Sequence, residues 1–331
     1  MATTCDPTIV TPVIAQTAKV LSPVAQWKVD GKLGKSSGAR ENLSGLACTT
    51  TIKVCIAVND DKKYAQLFNI SGTTILPGDI VRLPSGDGDP DSEGAAYDSK
   101  TSRFYIIGSH GRPRHHPEEK NDSSYNVFRF AIDPVTGVPN LSKKEGEFIV
   151  TEATPALRTV LETADKIDAK GAAVADKFDK PLGGGGVNIE GIAIAHERLY
   201  FGLRGPSKDR QAFVLSVNTE AAFSGAQLDA RIAALKLGED TGIRDLAAVR
   251  DGLLILSGPV NEQPVMPAIF HWNPANDQLK ELGTLKIPAE LAGAKAEGLL
   301  VLEDKDAQNY RVLVMFDGPD NGAPTEYAVQ R

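Results

Sequence analysis

Short runs of apolar or alternating apolar and polar residues recur along the chain, separated by clusters of Gly, Pro, Asn and Asp. This is the pattern of short β-strands joined by turns. One motif heads such runs repeatedly: an acidic or hydroxyl residue, usually a glycine, then an apolar strand. It reads LSGLAC at Leu43–Cys48, SEGAAYD at Ser92–Asp98 and IEGIAIA at Ile189–Ala195. It returns as IRDLAAV at Ile243–Val249 and AEGLLVL at Ala296–Leu302. Each is followed by a second run closed by a turn: KVCIAVNDD, RFYIIGSHGR, LYFGLRGP, LLILSGP and RVLVMFDGP. Third runs follow at AQLFNI, NVFRFAID, FVLSVN, AIFHWN and TEYAVQ, and fourth runs at DIVRL, EFIVTE, RIAALKL and LGTLKI.

Four strands per repeat is the make-up of a propeller blade. The expectation is an all-β, five-bladed β-propeller spanning residues 24–331, preceded by an extended N-terminal segment at 1–23. The last repeat runs out of chain after three strands. VAQWKVDG at Val24–Gly31 has the character to supply the fourth. Joining both termini in one blade removes an exposed sheet edge.

The leading polar residues are Ser44, Glu93, Glu190, Asp245 and Glu297, separated by 49, 97, 55 and 52 residues. The spacing of 97 is nearly two blades, which makes a six-bladed propeller the alternative. Within it, at Thr154–Gly186, apolar residues Ala156, Leu157, Val160, Leu161, Ala164 and Ile167 follow helical spacing. Thr154 and Pro155 suit a helix start. The stretch therefore predicts a helical insertion between blades 2 and 3, about 154–186.

The chain has 331 residues, 41% hydrophobic and 24% charged, an ordinary balance for a globular protein. No apolar run approaches the roughly 20 residues that span a bilayer. A formal net charge of −7 gives no reason to expect nucleic acid or an anionic membrane as partner. The opening residues MATTCDPTIVTPVIAQTAKV show no basic stretch before an apolar core, so no intact signal peptide is read. A chain shorn of its export signal has the same appearance, and a periplasmic or secreted protein is expected. Cys48 and Cys55 either face each other across a hairpin as a disulfide or remain two buried thiols. Cys5 lies in the loose terminus. Oligomeric state is not legible.

Consecutive strands of a blade run antiparallel, so inner-strand starts and second-strand ends meet at one mouth of the channel. Four carboxylates and a hydroxyl crowded there would repel one another unless a cation intervened. Oxygen ligands suit Ca²⁺, or Mg²⁺, and the lack of His and Cys disfavours zinc. The expected metal ligands are thus Ser44, Glu93, Glu190, Asp245 and Glu297. The second-strand ends add Asp60, Asp61, His110, Arg112, Arg204, Ser257 and Asp317.

A propeller with Ser or Glu from each inner strand around an axial Ca²⁺ resembles the calcium-activated nucleotidase (apyrase) family. Ser44 and the E-G pairs at Glu93, Glu190 and Glu297 carry the likeness, and Asp245 departs from it. The series NIEGIAI…LYFGLRGP, GIRDLA…LLILSGP and AEGLLVL…FDGP, across most of residues 40–320, resembles an uncharacterised bacterial propeller family, which implies the fold alone.

Other motifs add less. In SGDGDPDSEG, Asp87, Asp89 and Asp91 alternate like the start of an EF-hand loop, but Ser92 stands where Gly is wanted and strands flank it. SHGRPRHHPEEK at Ser109–Lys120 overhangs the same mouth. Arg112, Arg114, Arg204, Lys208, Arg210 and Arg244 would surround the centre with positive charge suited to an anionic ligand. His115 and His116 read as surface residues, and GGGG at 183–186 lacks the Lys-Ser/Thr of a phosphate loop.

The function expected is a metal-dependent hydrolase of a phosphate ester or phosphoanhydride, taking a small anionic substrate. Glu93 or Glu190 would act as general base with His110 beside them, and Arg112, Arg204 and Arg244 would clamp the anion. The alternative is a non-catalytic ligand- or protein-binding propeller with a structural calcium. A lactonase-like or esterase-like hydrolase is the third possibility.

Overall fold

Period-two side-chain alternation in the second strand of each repeat dictates the architecture. In Val54–Asn59, Ile56 and Val58 face one neighbour while Cys55 and Ala57 face the other. In Arg103–Gly108, Tyr105 and Ile107 point one way and Phe104 and Ile106 the other. The same division holds for Leu199 and Phe201 against Tyr200, and for Leu253 and Ile255 against Leu254 and Leu256. A strand buried on both faces must be apolar throughout, which is why these runs read as near-continuous hydrophobic stretches.

The computed structural model describes residues 19–50, 54–86, 88–113 and 118–331. It is all-β with few helices, and its strands form five sheets in a propeller arrangement. The innermost strands are Leu43–Cys48, Ser92–Asp98, Asn188–Ala195, Thr241–Val249 and Lys295–Glu303. Each pairs antiparallel with the strand that follows it. Five apolar clusters lie between neighbouring sheets and close the circle. The fifth joins Leu43, Leu46 and Ala57 of the first sheet to Leu300, Leu313 and Met315 of the last.

The N-terminal segment ties three sheets together. Val20–Leu21 lies parallel to Gln278–Leu285, Pro23–Gln26 antiparallel to Thr325–Gln330, and Lys28–Val29 parallel to Thr74–Arg82. The last sheet is thus completed from the N-terminal side, by Pro23–Gln26, which begins one residue before the expected Val24–Gly31 and covers only its start, before the chain passes on to the first sheet. Trp27 anchors the crossing, its Nε1 donating to Glu326 Oε2 at 2.9 Å.

Two local expectations shift. EFIVTE is divided between sheets: Glu147–Ile149 runs parallel to Thr74–Arg82 of the first sheet, and Glu152–Thr154 edges the second. Glu147 of the first piece is buried, its carboxylate held by Arg82 and Lys35. The stretch after Thr154 holds short helices, Ala156–Glu162 and Ala172–Ala175 among them, and no inner strand. Leu157, Leu161, Ala164 and Val174 pack onto the cluster between the second and third sheets. Cys48 and Cys55, paired across the first hairpin, form a disulfide. No helix among the described residues is long and apolar enough to cross a membrane. Cys5, Asp87, Arg114, His115 and His116 lie outside the described residues.

Glycines set how closely the inner strands approach. A Cβ on Gly45 would lie 2.5 Å from Gly94 Cα, and one on Gly94 2.5 Å from the Glu190 carbonyl oxygen. Both obstacles are backbone and cannot turn aside. Gly94→Val is therefore expected to cost at least the roughly 1–3 kcal/mol typical of overpacking. Gly183→Ala, with nothing within 4 Å of the added carbon, should stay within about 0.5 kcal/mol of wild type in urea melts. Equal stability of the two variants would refute this account of inner-strand spacing.

Candidate functional site

The residues that head the inner strands sit on β-bulges. Between the pairs Leu43↔Asn59 and Gly45↔Val58 the register shifts, leaving Ser44 as the extra residue. Glu93 is extra between Ser92↔Gly108 and Gly94↔Ile107, Glu190 between Ile189↔Leu203 and Gly191↔Gly202. Glu297 is extra between Ala296↔Phe316 and Gly298↔Met315. A bulge re-aims one side chain at the end of a ladder, here once per sheet.

In the fourth sheet the extra residue is not the expected Asp245. It is Arg244, between Ile243↔Ser257 and Asp245↔Leu256. The ring is therefore Ser44, Glu93, Glu190, Arg244 and Glu297, one residue out of step with the sequence expectation in one sheet. Asp245 takes the place that glycine holds in the other four sheets. Its Oδ1 accepts from its own Leu246 N–H at 2.7 Å, and its Oδ2 from Leu299 N–H of the next inner strand, also at 2.7 Å. Where glycine lets two backbones touch, Asp245 bridges them with its carboxylate.

Arg244 lies between its two neighbours in the ring. Its Nε is 3.0 Å from Glu190 Oε2, and its Nη2 pairs with Glu297 Oε1. Arg204, at the end of the adjacent second strand, completes the set. Its Nη1 lies 2.8 Å from Glu190 Oε1, and its Nε donates to the Val260 carbonyl at 2.7 Å. Glu190, Arg204, Arg244 and Glu297 are all buried. Burial lowers the Arg244 pKa to about 10, against the pull of Glu190, which leaves the guanidinium charged at neutral pH.

Glu93 has no arginine partner among the described residues. It is buried beside Glu190, Asp91 and Asp60, and desolvation followed by the Glu190 charge pushes its carboxyl well above the usual glutamate value. Burial likewise raises Asp245, opposed by its two N–H donors.

Arg112 and His110, also expected at the site, have their described contacts elsewhere. Arg112 is held at 2.8 Å by Asp179, which also takes Lys120 at 2.6 Å. It clamps the helical insertion, not the axis. His110 is fully buried at positive φ, its Nδ1 2.9 Å from the Gly108 carbonyl and its ring edge-on to Tyr125. Burial drops its pKa to about 4, so it is neutral at pH 7, and its described contacts do not include the ring. His271 stacks on Tyr310, with Asp251 at 3.5 Å from its Nε2.

The ring was expected to hold Ca²⁺. Two of its three carboxylates are engaged by arginine, and both oxygens of Asp245 are taken by backbone N–H groups. Among the described residues no group of three or more His, Cys, Asp or Glu is arranged to hold a metal. The countercharge comes from guanidinium groups already in the chain. The sequence carried the signal, because Arg244 precedes Asp245 where the other motifs have the acid directly before the glycine.

Five sheets in a propeller arrangement, each inner strand bulged at its ring residue, define the class of fold. The chain belongs to the family described as "Protein of unknown function (DUF3616)", whose model matches residues 152–328. No curated protein sequence matches it. Among solved structures it is similar to a GH43 β1,3-galactosidase with galactodeoxynojirimycin bound, at TM-score 0.51 and 9% identity over 93% of this chain and 94% of the other. A second GH43 β1,3-galactosidase gives TM-score 0.51 and 7% identity over 93% and 59%. Regucalcin from Agrobacterium tumefaciens, a calcium-binding protein, gives TM-score 0.43 and 12% identity over 95% and 96%. These likenesses are of fold, and distant neighbours of that fold include hydrolases. None of them points to a calcium-activated nucleotidase.

Two measurements test the ring. Arg244→Met takes from Glu297 its ion-pair partner and leaves Glu190 with Arg204 alone, and removing one partner of a buried pair typically costs about 3–5 kcal/mol. Urea melts should show that loss at pH 8 and a smaller one at pH 5, where the unpaired Glu297 carboxyl takes up a proton. A pH-independent loss would disprove the charge-pairing role. The native state also holds the Glu93 proton more tightly than the unfolded chain does. Stability therefore falls as pH rises above the ordinary glutamate value of 4.5 and levels off beyond the raised pKa. Glu93→Gln lacks this slope, so its melting temperature should gain on wild type steadily as pH climbs from 4.5.

Proposed function

We propose that the protein is a non-catalytic, ligand-binding, five-bladed propeller whose axial charge ring serves the fold. Five sheets and five inter-sheet clusters support the blade count. The observation that carries the functional reading is Arg244 standing in the ring between Glu190 and Glu297. Hydrolysis of a phosphate ester at this mouth would need a carboxylate able to hold a metal or activate water, with cations ready to receive the anion. Arg204 and Arg244 are already committed to ring carboxylates, and Arg112 to Asp179. The Cys48–Cys55 disulfide supports a periplasmic or extracellular location, since such bonds persist in oxidising compartments.

The test pairs turnover with metal-linked stability. Purified protein is assayed with nucleotides, phytate, aryl phosphates and lactones in Ca²⁺ or Mg²⁺, and melted with and without EDTA. No turnover above background and an unchanged melting temperature are expected. An ion present at a hundred times its dissociation constant would add about 2.7 kcal/mol, a shift such melts resolve. Calcium-dependent turnover that disappears in Glu190→Gln would overturn the proposal.

A further inference from the structure

A hollow of about 210 Å³ lies between the third and fourth sheets. No inner-strand residue lines it, so it stands away from the axis. Strand register creates it. Tyr200 pairs with Ser216 and Ser216 with Arg231, so the three form one row on one face of the third sheet. The small serine between two long side chains leaves the space. Arg198, two residues before Tyr200 on the same strand, shares that face. Trp272 of the fourth sheet stands opposite, its ring edge-on to Tyr200 at 6.0 Å. Lys170, from the short turn Ala169–Gly171 of the helical insertion, also lines the hollow.

The polar groups here are unevenly committed. Tyr200 is buried, and its hydroxyl has no hydrogen-bond partner among the described residues. A buried hydroxyl in that state is costly unless a ligand or a water meets it. Burial raises its pKa, opposed by the charges of Arg198 and Arg231, so the hydroxyl sits in a positive field. Arg198 is fixed, with Nη1 2.6 Å from Asp229 Oδ2 and Nη2 donating to the Ser216 carbonyl at 3.1 Å. Arg231 meets the same Asp229 oxygen at 2.9 Å through Nη2. Its other N–H groups have no acceptor among the described residues, and Lys170 is exposed with no ion-pair partner among them. Asp277 accepts from Trp272 Nε1 at 3.0 Å. Three cations thus face two carboxylates, Asp229 and Asp277, which leaves one positive charge.

One surplus charge beside free guanidinium N–H groups suits a carboxylate, whose two oxygens match the arginine fork. A phosphate, at about −1.5 to −2, exceeds it. The Tyr200 and Ser216 hydroxyls suit a body that carries hydroxyls of its own. The hollow is smaller than the roughly 300–1,000 Å³ of drug-sized sites, which limits the occupant to a small molecule. Resting on the ligand-binding reading above, we infer that this hollow is a site for a small hydroxylated monocarboxylate, its carboxylate at Arg231 and Lys170 and a hydroxyl at Tyr200.

The chain has two tryptophans and one of them, Trp272, lines the hollow, so the fluorescence of the full chain reports binding, with calorimetry as the check. Gluconate, glucuronate and glycerate are the probes, and at least one should bind saturably with one site per chain. For gluconate, the same skeleton supplies the controls. Sorbitol, which lacks the charge, should bind at least tenfold less well, sorbitol 6-phosphate less well than gluconate, and glucamine not at all. Hexanoate, which lacks the hydroxyls, should also bind at least tenfold less well. Arg231→Ala, at an exposed position, should weaken the bound probe at least tenfold with the melting temperature unchanged. Tyr200→Phe keeps the ring and should weaken that probe about fivefold. Failure of all three probes to saturate, equal binding of a probe and its uncharged analogue, or tighter binding of the phosphate would sink the inference. Saturable binding that neither variant disturbs would sink this site and leave the ligand-binding reading standing. Turnover in the hydrolase panel would instead sink the non-catalytic reading and leave the site standing.

Discussion

The dry axis of this propeller cannot hold unbalanced charge. Three glutamates converge there because each heads an inner strand on a bulge, and taking a carboxylate out of water costs several kcal/mol unless a partner or a proton compensates it. Glu190 and Glu297 are compensated by arginines and Glu93 by a raised affinity for its proton. Two carboxylates, Glu190 and Glu297, face two guanidinium groups, Arg204 and Arg244. Arg244 is the central element, since it replaces an expected carboxylate and touches the carboxylates on either side. The four-group network also ties the third, fourth and fifth sheets at their narrowest approach.

The rest of the architecture follows from how closely the inner strands crowd this axis. Glycine after the ring residue lets adjacent backbones meet at Gly45, Gly94 and Gly191, where a Cβ would fall within 3.0 Å of backbone atoms. The fourth sheet departs twice at once, with arginine for the ring acid and aspartate for the glycine. The two changes belong together. Arg244 turns to its neighbouring glutamates, and Asp245 uses both oxygens to hold Leu246 and Leu299 where a direct backbone approach is lost.

Much of the fold was legible in the chain. Five repeated motifs gave the inner strands, uninterrupted apolar runs gave second strands buried on both faces, and helical spacing after Thr154 gave the short helices. The site was legible in part. Ser44, Glu93, Glu190 and Glu297 were placed at one mouth by their motif alone. Asp245 was misplaced because an acidic residue was sought where the strand register puts an arginine. EFIVTE was read as one strand because no local pattern reveals that Glu147 meets Arg82 of the first sheet and Lys35 of the N-terminal segment.

By itself the sequence determined what depends on residues near one another in the chain: strand period, turn positions, the repeat, and the helical excursion. Tertiary structure decided what depends on atoms brought together from far apart. It chose which residue of the IRDLAAV motif bulges into the ring, and it spent Arg204 and Arg244 on carboxylates when an anion clamp had been expected. Charge and hydrogen bonding act through distance in space, and a one-residue shift in register moves a side chain to a different set of partners.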